Sequence, residues 1–206
     1  MKDYFLVLLM GYFIGHIQFA YIIGKLWKKQ DIRQLGSGNS GASNFVQHLG
    51  VKTGILIGLL DILKAFLSIY FMKKIFPSLA DDYTAIYLNG FGVIMGHNFP
   101  LFMKFKGGKG TASSLGMIFG INPLYGIISF FIVLLITLIT NYIAIGAMAL
   151  PVILLVLALV NNYGLIPILI SIILIVIAVS LHIKNFVRIK NHEEKGLRQT
   201  SFIKKH

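Results

Sequence analysis

The chain has no cysteine, which excludes disulfides, zinc–thiolate centres and thiol nucleophiles. Acidic residues are scarce too, with seven Asp and Glu against nineteen Lys and Arg. Charged residues together make up 13% of the sequence, where a soluble domain carries about 25%. No HExxH, GxSxG or HxxxxD pattern occurs; the residues five beyond His97 and His182 are Phe102 and Val187. A metal-assisted or covalent mechanism therefore has no visible agent, and neither a metal nor a cofactor is expected. No basic face with interleaved aromatics stands clear of the apolar segments, so nucleic-acid binding has no support.

What the chain does have is apolar length. It is 56% hydrophobic, with a mean hydropathy of +0.80. Runs of the length that crosses a bilayer, ~20 residues, recur along it. Seven spans are marked, at about 4–27, 54–72, 83–100, 111–122, 124–140, 142–160 and 163–183. The fourth is short, and Asn122-Pro123 marks the turn after it. The opening MKDYFLVLLMGYFIG lacks a small-residue cleavage site and its apolar run continues to Trp27, so it reads as the first span rather than a signal peptide. The expected fold is all-α, a polytopic membrane helix bundle of about seven transmembrane helices forming a single domain over 1–206.

The +12 formal charge is placed asymmetrically. With the N-terminus outside, the cations at 25–33, 52, 104–109, 184–198 and 204–205 all fall inside. Only Lys2, Lys73 and Lys74 fall outside, and Lys64 lies within a span. This satisfies the positive-inside rule and puts the C-terminus in the cytoplasm. Part of the basic rim is expected to meet anionic membrane lipids.

Three inside segments are too polar and glycine-rich to be mere connectors. The first, RQLGSGNSGASNFVQHLG from Arg33, contains GSGNSG, which matches G-x-G-x-x-G. A dinucleotide turn would need a buried strand before it, and the preceding LWKKQDIRQL is a basic helix end. What remains is an anion nest, with backbone freed at Gly36, Gly38 and Gly41 and donors on Ser37, Asn39 and Asn44. The second, GHNFPLFMKFKGGKGTASSL, resembles the tail of a P-loop and narrowly misses the motif, with Met103 at the leading glycine and Gly110 where Ser or Thr belongs. Gly107, Gly108 and Gly110 free the backbone, Lys109 supplies a point charge, and the helix that follows presents an anion-favouring N-terminus. The third, HIKNFVRIKNHEEK, places His182, Asn185 and Arg188 at three-residue intervals on one helical face, with Glu194 beyond. His97 reads by itself as a capping or packing histidine. Asp61 and Lys64, at i and i+3 of the second span, are expected to pair toward the bundle interior. His16 and Gln18 are expected to hydrogen-bond between helices.

Two glycine-and-donor loops and a His/Asn/Arg face on one side suggest a site for two phosphates. Positioning and charge stabilisation of an already reactive phosphorylated substrate then remain as the chemistry. GSGNSGASN, GHNFPLFMKFKGGKGTASSLG and HIKNFVRIKNHEE, with DILK at 61–64, resemble the signature segments of the bacterial acyl-phosphate:glycerol-3-phosphate acyltransferases of the PlsY type. The resemblance covers nearly the whole chain in order and spacing. It implies transfer of a fatty acyl group from acyl phosphate to the 1-hydroxyl of glycerol 3-phosphate, giving lysophosphatidate and phosphate. It also implies a bacterial plasma-membrane enzyme with its site on the cytoplasmic side, functionally coupled to the enzyme that makes acyl phosphate.

In this resemblance Ser37, Lys109, His182 and Asn185 match catalytic positions that bind or orient the two phosphates. The backbone from Gly107 to Gly110 would cradle the acyl-phosphate group. Gly36, Gly38, Asn39, Gly41, Asn44, Gln47, His97, Lys104, Lys106, Arg188 and Glu194 complete the implied substrate-binding set. The proton of the hydroxyl would pass to substrate phosphate, in keeping with the missing side-chain base. Four positions depart from the family pattern: Gln47 stands for an arginine that helps hold glycerol 3-phosphate, Asn141 for an arginine, Ala144 for a serine and His192 for a glycine. Lys52 is a possible replacement cation. Two other readings stay open: a relative that binds phosphate or lipid without this turnover, and a transporter of a small phosphate compound. The latter lacks the paired repeats and breaks that transporters carry.

Overall fold

The computed structural model describes residues 1–36 and 38–199, without the Gln47 side chain. The roles expected of Ser37 and of the Gln47 side chain lie outside the described residues. The chain is helical throughout: α1 (Lys2–Gly15), α2 (Phe19–Lys28), α3 (Ala42–Leu49), α4 (Val51–Ile75), α5 (Tyr83–Asn98), α6 (Thr111–Ile121), α7 (Pro123–Thr140), α8 (Ile143–Ala147), α9 (Ala149–Val160) and α10 (Leu165–Lys190).

All seven expected spans are helical. Among the described residues, five stretches are long and apolar enough to cross a membrane: Lys2–Lys28, Val51–Ile75, Pro123–Thr140, Ile143–Val160 and Leu165–Lys190. Helices α5, with 16 residues, and α6, with 11, are shorter. The first expected span is two helices, α1 and α2, and the sixth is α8 followed by α9.

The α1–α2 break has a polar cause. Buried Gln18 donates from Nε2 to His97 O at 3.0 Å and to Gly15 O at 3.3 Å. Lys64 Nζ donates to Ile17 O at 2.7 Å. Gln18 and Lys64 thereby satisfy the Gly15 and Ile17 carbonyls that a continuous helix would have used itself, which is what makes a break tolerable at membrane depth. Gln18 thus bridges helices as expected. His16 bonds within its own turn, through Nδ1 and Tyr12 O at 2.7 Å, and outward, accepting from Leu101 N at 3.1 Å.

Helices α1 and α5 approach closely enough that their backbones touch. A Cβ at Gly92 or Gly96 would strike the carbonyl oxygens of Leu8 or Tyr12, and one at Gly11 or Gly15 those of Asn89 or Val93. Small residues at such crossings replace the hydrophobic drive that lipid does not supply. Buried Asn89 ties three helices, donating to Val7 O at 3.1 Å and accepting from Ser68 Oγ at 2.8 Å. The core around Met72, Tyr87, Met117, Ile118, Leu150 and Leu154 joins α4, α5, α6 and α9. The expected turn between α6 and α7 is present: Asn122 Oδ1 accepts from Leu124 N at 2.8 Å, with Pro123 in the first helical turn.

Candidate functional site

The three polar segments meet around one cavity of about 560 Å³. Its first wall is the 30–41 loop and α3. Gly36 and Gly38 sit at φ of +54° and +70°, a backbone region that glycine enters at no steric cost. A short 3-10 turn at Ile32–Gln34, not a strand, precedes the loop, so the nucleotide fingerprint fails in the structure too. Asn44 pins the loop, its Nδ2 donating to Leu35 O at 3.0 Å and Asn39 O at 2.9 Å. Gly36, Asn39, Gly41 and Asn44 line the cavity, and Gly38 does not. Asn39 Oδ1 is buried with no hydrogen-bond partner among the described residues.

The second wall is the glycine loop and the start of α6. The amides of Gly107 and Gly108 donate to Asn98 O and His97 O, each at 3.0 Å. These two residues therefore hold the loop against the end of α5, and the cavity lining begins at Lys109. The close fit explains why they are glycines: a Cβ at Gly108 would overlap the His97 ring. Lys109, Gly110, Thr111 and Ala112 do line the cavity, so the anion-favouring end is the first turn of α6. Lys104 and Lys106 are exposed and outside the lining. The first loop is tied to the second, with Ser40 N donating to Gly107 O at 3.4 Å and Ser40 Oγ to Gln18 Oε1 at 3.2 Å.

The third wall is the end of α10 and the turn after it. His182, Asn185, Arg188 and Glu194 share the cavity face, as their spacing predicts. Lys109 Nζ donates to Asn185 Oδ1. Asn185 Nδ2 donates to Glu194 Oε1 at 2.6 Å, and Arg188 Nε to Glu194 Oε2 at 2.5 Å. A chain Lys109–Asn185–Glu194–Arg188 thus fixes two cations around one carboxylate. Burial, and next the charge of Arg188, pull Lys109 down to about 8, against the upward pull of Glu194. His182 Nδ1 lies 2.8 Å from Ala178 O; since a carbonyl only accepts, Nδ1 carries the proton and Nε2 is left as the acceptor.

On the floor, Lys64 Nζ pairs with Asp61 Oδ1 at 2.7 Å, the ion pair expected from the sequence. The same ammonium reaches His97 Nδ1 at 2.9 Å. Asp61 and His97 both touch the cavity.

Sequence reasoning missed the apolar half of the cavity, built by Leu115, Phe130, Val133, Ile143, Ala147 and Leu150. No local pattern separates these from lipid-facing residues. It also missed His48 and Lys195. His48 had a signal, four residues after Asn44 on the same α3 face. Lys52, the expected replacement cation, is exposed and outside the lining. Of the other departures, Ala144 lines the cavity, while Asn141 holds the tail, accepting from Leu197 N at 2.7 Å and Arg198 N at 2.9 Å. His192 sits at a left-handed φ of +59°, where the glycine it replaces is at ease.

An apolar pocket in a membrane helix bundle, opening onto fixed cations and a helix N-terminus, has the chemistry to hold an anion beside an apolar chain. The comparisons make the class particular. The family model for glycerol-3-phosphate acyltransferase matches residues 5–192, and the chain belongs to that family. It is 36% identical over 198 residues to glycerol-3-phosphate acyltransferase 1 of Oceanobacillus iheyensis, covering 94% of this chain and 95% of that one. It is 41% identical over 140 residues to a glycerol-3-phosphate acyltransferase of Thermotoga petrophila, covering 68% and 69%. Its fold matches the crystal structure of PlsY (YgiH), an integral membrane glycerol 3-phosphate acyltransferase, in its glycerol 3-phosphate form, with a TM-score of 0.83, 30% identity and 94% of each chain covered. The lysophosphatidic acid form of that protein matches with a TM-score of 0.81 and 29% identity, over 97% of this chain and 98% of that one.

Proposed function

We propose that this protein transfers a fatty acyl group from acyl phosphate to the 1-hydroxyl of glycerol 3-phosphate, releasing lysophosphatidate and inorganic phosphate. The observation that carries this is the Lys109–Asn185–Glu194–Arg188 chain at the polar end of a cavity whose other end is apolar. The apolar end takes the acyl chain, which places the acyl phosphate's head at the first turn of α6 beside Lys109. The acceptor enters from the polar side. Its hydroxyl oxygen attacks the acyl carbon, the ester C–O bond forms, and the bond from that carbon to the phosphate oxygen breaks. The hydroxyl proton goes to substrate phosphate, so no side-chain base is required. Lys109, Arg188 and the α6 amides stabilise the charge that gathers on the departing phosphate.

In this reading the chain crosses a bacterial plasma membrane seven times, with its N-terminus outside and the cavity mouth at the cytoplasmic face. The supply of acyl phosphate ties it to the enzyme that makes that donor.

The test is turnover by the purified protein in lipid or detergent, with long-chain acyl phosphate, glycerol 3-phosphate and a metal chelator. Phosphate and lysophosphatidate should appear in equal amounts. Binding of both substrates without product would contradict the reading, as would uptake of glycerol 3-phosphate into vesicles without acyl transfer.

A further inference from the structure

The cavity mouth carries an imidazole that the mechanism above does not use. His48 is exposed, lines the cavity, and sits one turn beyond Asn44 on α3. Its Nε2 lies against the Cα of Gly36 at the entry to the glycine loop, where any side chain at 36 would overlap it. We propose that His48 is an acceptor-binding residue that, when protonated, holds the phosphate of glycerol 3-phosphate at the cavity mouth.

Position comes first. The apolar residues lie toward Leu115, one turn into α6, and toward α7 and α8, so the acyl phosphate takes the deep side next to Lys109. The α3 wall offers Gly36, Asn39, Gly41, Ser43 and His48 and no large apolar side chain. That is a wall for a water-soluble molecule. With its reacting hydroxyl turned inward, the acceptor's phosphate must point outward, toward exposed His48.

Charge comes second. Among the described residues, and apart from the floor's Asp61, which Lys64 neutralises, the lining holds Lys109, Arg188 and Lys195 against Glu193 and Glu194. That is a surplus of one cation, facing two phosphates of roughly −1.5 to −2 each near pH 7. A further positive charge is favoured whenever both substrates are bound. The other titratable groups lining the cavity, among the described residues, are these five, His97, His182 and the paired Asp61. The lining residues of its own loop do not titrate, and Lys52 on α4 stays outside.

This inference rests on the acyltransferase reading, and one assay separates the two. The KM for each substrate is measured at about pH 6 and about pH 8, the window in which imidazole titrates, for the wild type, His48→Gln and His48→Arg. Comparing variants cancels the titration of glycerol 3-phosphate itself. The KM ratio of His48→Gln to wild type for glycerol 3-phosphate should be about tenfold at the lower pH, the loss of one charge-assisted contact, and fall toward one at the higher pH. His48→Arg should keep a low KM at both. The KM for acyl phosphate should move less than about twofold, well inside a single contact's worth. A ratio near one throughout, a ratio independent of pH, or an equal rise for both substrates overturns the proposal. Should His48→Gln fail to fold by thermal unfolding, a His48→Arg KM at the higher pH no lower than wild type overturns it by itself. No acyl transfer by the wild type would sink the underlying reading instead.

Discussion

Lys64 Nζ lies 2.9 Å from His97 Nδ1 while pairing with Asp61 Oδ1 at 2.7 Å and capping Ile17 O at 2.7 Å. An ammonium only donates, so His97 Nδ1 accepts and the ring proton sits on Nε2, the atom facing Gly108. One buried cation therefore fixes the α1–α2 break and the tautomer of His97, the residue whose carbonyl holds Gly108 of the glycine loop. The ion pair is part of the support of the site as well as a link between helices.

Removing half of this pair should be worse than removing both. Lys64→Met leaves the Asp61 carboxylate buried and uncompensated, a loss of about 3–5 kcal/mol. The double variant Asp61→Leu, Lys64→Met should recover part of that loss, though not the carbonyl cap. Thermal unfolding in detergent reads both. A double variant less stable than Lys64→Met would show that the charges are not coupled as described.

The glycines divide by what surrounds them. Gly58 is in mid-helix, and a Cβ there meets only Ala42 Cβ at 3.6 Å. Gly58→Ala should therefore stabilise the protein by roughly 0.5–1 kcal/mol, the ordinary helix gain. Gly96→Ala, whose Cβ would run into the Tyr12 carbonyl, should lower the unfolding temperature. Opposite signs are the expected result; the same sign for both would contradict the α1–α5 packing.

Activity should fall as pH rises through about 8, where Lys109 loses its proton. The limb belongs in kcat/KM, which reports the free enzyme. In kcat it should move to higher pH, because bound phosphate holds the ammonium charged. Glu194 raises Lys109, so Glu194→Gln should shift the kcat/KM limb to lower pH. A limb that moves upward or stays fixed would show that the carboxylate does not govern Lys109.

How much of this was legible in the sequence varies by element. The three polar segments and the α10 face were legible because glycine, asparagine and lysine in a chain this apolar are costly unless they do something. The Asp61–Lys64 pair followed from spacing and membrane depth alone. The α1–α2 break was not legible: the run is apolar through to Trp27, and the partners that satisfy the break, Lys64 and the His97 carbonyl, are 47 and 79 residues away from Ile17 and Gln18. The glycine loop shows a different limit. The amides of Gly107 and Gly108 bond to the end of α5, a contact that composition does not show and only the tertiary structure reveals. His48 stands four residues after Asn44 on the same face of α3, a spacing visible in the sequence, but only the folded cavity wall shows that the face is used.

The most direct test of the central claim is Lys109→Met in the turnover assay. Lys109 is the point where the glycine loop meets the Asn185–Glu194–Arg188 chain. Loss of one preorganised charge at the departing phosphate should cut kcat/KM by about 10²-fold or more, with the unfolding temperature held or raised because a partly buried ammonium is gone. A Lys109→Met enzyme within about threefold of the wild type, too small a loss for such a group, would contradict the account.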